Sequence, residues 1–203
     1  MPRRSDVRMT RAAGGRRDGA ATKERIRASA LALFVSDGLK ETTTKAIAAA
    51  SGISEGAIYR HYESKDALAR DLYLLHYAQL AEGLRAATAG ETAFAARWRA
   101  IVVLLCRLFD EQNHAFRYLL LGQHQHLDAV SKAVDSPVET LRGFVAEAVE
   151  RAEIARRDPD LATAMALGLV ITTATFVLYG QLEGPLSRWA DEVAKAGLRV
   201  LEG

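Results

Sequence analysis

The chain has 203 residues, 49% of them hydrophobic and 26% charged, with a formal net charge of +2. That is enough apolar material for one large core or two small ones, and the single cysteine, Cys106, excludes an internal disulfide and fits a reducing, cytoplasmic setting. The small net charge hides a division. Residues 1–66 hold 13 Lys/Arg against 8 Asp/Glu, and residues 67–203 hold 14 against 17. A basic module suited to phosphates thus precedes a mildly acidic remainder.

Residues 1–20 carry six arginines (Arg3, Arg4, Arg8, Arg11, Arg16 and Arg17) against Asp6 and Asp18, among glycines and polar residues. This composition predicts a disordered basic arm. It either lies along DNA phosphates or enters the minor groove, or it is a solvated leader. No apolar core marks a secretion signal here.

The stretch from Thr43 to Leu68, TTKAIAAASGISEGAIYRHYESKDAL, is the most informative. Thr43 and Thr44 are placed to cap a helix whose apolar positions are Ala46, Ile47 and Ala50, with the small Ala48 where two helices cross. Gly52 follows the periodic run, where positive φ ends a helix at little cost. Ile53 anchors the turn, and Ser54 is placed to cap a second short helix that buries Ile58. Ser54, Glu55, Ala57, Tyr59 and His61 form its outer face, and Gly56 keeps its start slim. Ser64 caps a longer helix opening at Lys65-Asp66-Ala67-Leu68. Helix, glycine turn, short helix and capped third helix is the layout of a DNA-reading helix-turn-helix.

Residues Thr22 through Leu68 resemble the DNA-binding domain of the tetracycline-repressor (TetR) family of transcription regulators. The resemblance rests on Ile26, Ala30, Leu33, Phe34, Gly38, Thr42-Thr43, Ile47-Ala48, Ala50-Ser51-Gly52-Ile53-Ser54, Gly56, Ile58-Tyr59, His61-Tyr62 and Ser64-Lys65-Asp66-Ala67-Leu68. Arg60-His61-Tyr62 departs from it, since an aromatic-rich run ending in Phe is more usual there. The resemblance implies an all-α protein of about nine helices. A three-helix DNA-binding domain (21–66) follows the arm (1–20) and precedes an effector-binding and dimerisation domain (67–203).

Past Leu68, the spacing of Leu72 and Leu75 carries one helix to about Ala89, and Gly90 stops it. Phe94, Trp98, Ile101, Leu105 and Leu108 then form an amphipathic stripe. A break near Asp110 to Asn113 precedes a helix with Phe116, Leu119 and Leu120. Ser136-Pro137-Val138-Glu139 and Asp158-Pro159-Asp160 read as helix starts, the first with the elements of a capping box. The run Leu161 to Leu182 approaches membrane-span length, but threonines and glycines interrupt it, so a buried interface helix is expected rather than a membrane span. After Gly184-Pro185, the residues Leu186, Trp189, Val193, Ala196 and Val200 recur at alternating spacings of three and four. No β-pattern or internal repeat is evident.

A helix apolar nearly all round must be covered on every side. By resemblance, the helices near 159–180 and 185–201 pair with their copies in a homodimer; alternatively both bury into their own subunit. Dimerisation suits double-stranded DNA, because a two-fold pair of short recognition helices meets half-sites about 34–36 Å apart.

Contacts divide by chemistry. Thr43, Thr44, Lys45, Tyr59, His61 and Lys65 suit phosphates, with resemblance supporting Thr43, Tyr59, His61 and Lys65. Ser54, Glu55, Gly56 and Ala57 face base edges; Glu55 suits a cytosine amine and Ala57 a thymine methyl. Glu55 is alternatively a solvated acid favoured by the helix dipole. Lys45 and Arg60 reach either bases or phosphates, and Tyr62 reads as core.

The C-terminal half is, by resemblance, a sensor of a small-molecule effector. Candidate ligand contacts are Tyr73, His76, Tyr77, Trp98, Cys106, His114, Tyr118, His124, Phe176 and Tyr179, each also readable as core. His124 and His126 invite a metal, but on a helix they point about 200° apart and no ligand pattern completes a site, so neither metal nor cofactor is expected. No nucleophile motif or glycine-rich phosphate loop points to an enzyme. The expected function is a ligand-responsive repressor on a palindromic operator, the alternatives being a ligand-independent DNA-binding regulator or an activator.

Overall fold

The computed structural model describes residues 6–90, 93–111, 113–122 and 136–202. Among these, nine α-helices and no strands occur. They are α1 (Asp6–Ser36), α2 (Thr44–Ser51), α3 (Glu55–Ile58), α4 (Lys65–Thr88), α5 (Phe94–Glu111), α6 (Asn113–Gly122), α7 (Pro137–Glu150), α8 (Pro159–Leu178) and α9 (Ala190–Glu202). A 3-10 turn, Leu186–Trp189, leads into α9.

Two compact units divide the chain, Met1–Leu72 and Tyr73–Gly203. From the sequence the boundary falls after residue 66. It lies later because the first turns of α4 belong to the first unit: Leu68, Ala69 and Leu72 are buried, and Asp71 is bonded to α1. A second correction concerns the arm, which is helical from Asp6 onward. Alanine, arginine and methionine are strong helix formers, and extending a helix already nucleated costs far less than starting one.

The first unit packs Ile26, Ala30 and Phe34 of α1 with Ile47 and Ala48 of α2 and Ile58 of α3. Gly52 sits at φ +64 and ends α2 in the left-handed region, as the sequence predicts. Two side-chain constellations hold this unit. The Lys65 ammonium donates to the carbonyls of Leu39, Lys40 and Thr42 at 2.6, 3.1 and 2.7 Å, closing the loop between α1 and α2. Arg27 on α1 donates to Asp71 on α4 through Nε (2.9 Å) and Nη2 (2.8 Å). The buried Tyr62 hydroxyl donates to the same carboxylate at 2.8 Å and accepts from Arg27 at 3.1 Å. Burial pushes the Asp71 carboxyl up, but the bonds from Tyr62 and Arg27 and the charges of Arg27 and Lys23 outweigh it and hold it below the usual carboxylate range.

In the second unit α5 is central. Its Trp98, Ile101, Val102, Leu105 and Cys106 lie within one core with α8 and α9. Trp98 Nε1 donates to the Ala194 carbonyl at 2.9 Å. Its indole lies on Gly197, where a Cβ would come within 2.4 Å of the ring. The buried stripe of α9 is Ala190, Val193, Ala194, Gly197 and Leu201; Ala196 and Val200 of the predicted stripe are half-buried. Ser136 and Asp158 cap α7 and α8 as expected. The carboxylate of Glu139 turns to Arg142.

Two outcomes test the constellations. Lys65→Met should cost about 2 kcal/mol, the scale of charge-assisted hydrogen bonds lost, and should speed hydrogen exchange in α2 but not in α5 or α9. Unchanged protection of α2 would contradict the closing role. A carboxylate held below its ordinary value near 3.8 stabilises the fold above that value and loses this contribution as pH falls through its depressed one. Asp71→Asn should therefore destabilise at pH 7, and the gap to wild type should close on acidification.

Candidate functional site

The surface made by α2 and α3 carries the sequence-predicted DNA contacts. Thr43 is the N-cap of α2, its Oγ1 accepting from the Ala46 amide at 3.1 Å. Thr44 Oγ1 donates to Glu55 Oε1 at 2.5 Å and lies 3.4 Å from the Tyr59 hydroxyl. These three side chains form one polar patch across the two helices, with Tyr59 53% exposed. Lys45, Ser54, Glu55, Gly56 and Arg60 are exposed, and His61 is half-buried.

Three expectations change here. Ala57 is 6% exposed and belongs to the core, so it is not on the outer face. In a helix of one turn, the position next to Ile58 turns inward with it. Ser54 occupies the N-cap position of α3, yet its hydroxyl makes no capping bond; the helix start is closed by the Ala57 amide on the Ser54 carbonyl at 2.9 Å. Lys65 spends its ammonium on three backbone carbonyls and is a clamp of the loop, not a ready phosphate contact. Tyr62 is core, as the sequence predicts. Gly56 is telling in another way. A Cβ built there meets nothing within 4 Å. The fold has no need of glycine at this helical position, where alanine is preferred.

Sequence reasoning missed Arg27 and Asp71, which support this surface from behind. An arginine and an aspartate 44 positions apart on two helices leave no local pattern to find.

In the second unit a cavity of about 110 Å³ lies among α4, α5, α6, α7 and α8. Tyr73, Tyr77, Leu84, Leu105, Leu141 and Val170 are among its walls. Tyr77 Oη lies 3.2 Å from Ser136 Oγ, a buried polar pair at the edge of an otherwise apolar wall. Burial, with the neighbouring Tyr77, pushes the Tyr73 hydroxyl up to about 12, so it is a neutral group here. A second cavity of about 230 Å³ is lined by His76, Gln79, Gly83, Leu104, Leu108 and Ala115, and shares Leu80, Phe116 and Leu119 with the first.

Of the predicted ligand contacts, Tyr73 and Tyr77 line the first cavity and His76 the second. Tyr118 is buried edge-on to Tyr73, at 6.1 Å between ring centroids, behind that wall. The others part company. Trp98 is fixed in the core by its bond to Ala194. Cys106 is fully buried, and burial, with Asp110 nearby, pushes its thiol up to about 11, which leaves it inert. His114 is exposed. Phe176 and Tyr179, the C-cap of α8, are also exposed, on the side of the helix away from its own core. His124 and its neighbour His126 lie outside the described residues; among those described, no group of three His, Cys, Asp or Glu could hold a metal.

α8 is long and apolar enough to cross a membrane by length and composition. Ala162, Thr163, Ala166, Val170 and Ala174 pack into its own unit. Leu161, Met165, Phe176 and Tyr179 are exposed and recur at helical spacing along the outer side.

Residues 26–72 match the family of bacterial regulatory proteins called the tetR family. The chain is 32% identical over 171 residues to the nucleoid occlusion factor SlmA of Enterobacter sp. (strain 638), covering 82% of this chain and 81% of that protein. In structure it is similar to the fatty acid degradation regulator FadR from Bacillus halodurans, with a TM-score of 0.79 at 15% identity over 87% of this chain and 94% of that one. It is similar also to the transcriptional regulator FadR from Bacillus subtilis in complex with stearoyl-CoA, with a TM-score of 0.77 at 16% identity over 88% and 98%. A helix-turn-helix matched to the family, with a helical second unit of the same fold, makes this chain a member of the tetR family, a DNA-binding transcription regulator and not an enzyme.

Proposed function

We propose that this regulator is a ligand-responsive repressor that binds a palindromic operator as a homodimer in the cytoplasm and is released by a small molecule. The observation that carries the ligand response is the apolar cavity walled by Tyr73, Tyr77, Leu84, Leu105, Leu141 and Val170. Well-packed interiors leave few voids larger than a water molecule. The cavity walls include α4, the one helix with residues in both compact units. An occupant that favours one setting of α4 would shift the spacing of the two recognition helices; one that bound both settings equally would do nothing.

On DNA, Thr43, Thr44, Lys45, Tyr59 and His61 serve phosphates, while Ser54, Glu55 and Gly56 meet the groove and Arg60 adds charge. The homodimer is formed through α8 and α9. Its support is the outward row Leu161, Met165, Phe176 and Tyr179, with Tyr179 66% exposed. Exposed large apolar side chains along one side of a helix mark an interaction surface, and the small Ala164 and Gly168 beside them allow a second helix to approach.

A ligand-independent role is the alternative, favoured by the 32% identity to a protein named a nucleoid occlusion factor. Chromosome-wide mapping of bound sites separates the two. A repressor should occupy one or a few promoters. Many dispersed sites, unmoved by any compound that raises the melting temperature, would overturn the repressor assignment.

Three outcomes test the docking. Gly56→Ala should leave the fold intact or firmer by about 0.5–1 kcal/mol, yet weaken operator binding at least about tenfold, roughly 1.4 kcal/mol; unchanged affinity would remove α3 from the groove. Lys45→Ala should weaken binding to all sequences alike and reduce the salt slope by about 1. Light scattering should return twice the 22.1 kDa subunit mass, and Met165→Lys with Phe176→Lys should return the monomer. A dimer in the double variant would place the interface elsewhere.

A further inference from the structure

The 110 Å³ cavity is small for the ligand site it is proposed to be. An engineered apolar cavity of about 150 Å³ just holds benzene, and small-molecule sites usually begin near ~300 Å³. The second cavity, at about 230 Å³, supplies the missing space and adjoins the first. Leu80, Phe116 and Leu119 line both, so they form a partition one side chain thick. Leu80 and Leu119 are only half-buried, and their rotamers can change without opening the core.

The two chambers differ in chemistry. The first is walled mostly by buried residues, with the exposed Val138 at its edge, and is apolar apart from the Tyr73 and Tyr77 hydroxyls and the Ser136 pair beside them. The second reaches the surface at the exposed Gln79 and carries hydrogen-bonding groups at its rim, where His76 Nδ1 lies 3.0 Å from Gln79 Oε1. Among the described residues, neither chamber is lined by Lys, Arg, Asp or Glu. Among the described residues, a ligand with several phosphates would find no fixed cation in the lining.

We infer that the two cavities are chambers of one site for a single-chain amphiphile: a hydrocarbon chain in the inner chamber, passing the Leu80–Phe116–Leu119 partition, and a carboxylic acid or alcohol head at His76 and Gln79. This rests on the ligand-responsive assignment and names its ligand class. Burial of the chain supplies the affinity, roughly fourfold per methylene, and the head sets the direction of entry.

The test is calorimetry on the full-length protein with decanoic acid, decanol, hexanoic acid and decanoyl-CoA. Decanoic acid or decanol should bind at least tenfold more tightly than hexanoic acid, and whichever of the two is tighter identifies the head. Decanoyl-CoA should be weaker than both; tighter binding of it would overturn the ligand class. Ala115→Phe fills the outer chamber and Ile171→Phe the inner one. Each should cost tenfold or more in affinity for the ten-carbon ligand. Loss with Ile171→Phe alone would mean separate cavities and sink the single-site assignment. Should a variant fold poorly, a wild-type crystal with 10-bromodecanoic acid decides: bromine belongs in the inner chamber, and bromine outside it refutes the proposal. The regulatory assignment fails separately. Tight binding without operator release would leave the site standing and remove the repressor mechanism. Operator release by another compound, with no binding of either ten-carbon ligand, would do the reverse.

Discussion

A helix of four residues cannot hold its own shape. α3 closes barely one turn, and nucleating a helix costs more than one turn returns. Its reading face therefore exists only because its surroundings fix both ends. On one side Gly52 and the α2 caps deliver the chain at a set angle. On the other, Tyr62 is buried and bonded to Asp71, which Arg27 holds from α1. Lys65 then ties the start of α4 to the loop after α1. α1, α2 and α4 are thus each braced by a charge-assisted bond or a cap, and α3 is held between them. Arg27, Asp71 and Lys65 are half-buried, where such bonds gain strength over water without the full cost of burying an ion.

This explains why Lys65 and Tyr62, which lie in the motif, are committed within the fold. A phosphate contact needs a side chain that is free to meet its partner. A brace needs one already committed. The same stretch contains both kinds, interleaved by the helical period: Tyr59 outward, Tyr62 inward, Thr44 outward, Thr42 inward.

Much of this architecture was legible in the sequence because its signals are local. Gly52, Ser64, Ser136-Pro137 and Asp158-Pro159 each mark a helix end through chemistry confined to a few residues. The stripe Phe94, Trp98, Ile101 and Leu105 is equally local, and its members are buried. What escaped was decided at a distance. The 3-10 turn that leads into the last helix is capped by the carboxylate of Asp110 on α5, which accepts from the amides of Leu186 and Ser187. Arg97 is buried against Glu153 and over the ring of Phe144. The end of α7 leaves Ala152 at φ +56, where a glycine would have announced the turn. The site divides the same way. Thr43, Thr44 and Tyr59 fall on the exposed surface that the helix-turn-helix pattern implies. Phe176 and Tyr179 could not be assigned from composition, since an apolar helix does not declare which of its faces meets its own core.

α8 ties the two proposed roles of the second unit together. Leu167, Val170 and Ile171 line the inner cavity, while Leu161, Met165, Phe176 and Tyr179 face outward. Twenty residues of continuous helix move largely as one body. A ligand that displaces the inner side must therefore displace the outer row, and with it any copy packed there. Coupling of this kind is reciprocal: whatever dimer geometry the ligand favours must in turn favour the ligand. The exposed row and the interior cavity are in that sense one device, and the same helix that makes the chain look fit for a membrane is what would let a ligand in one subunit be felt by its partner.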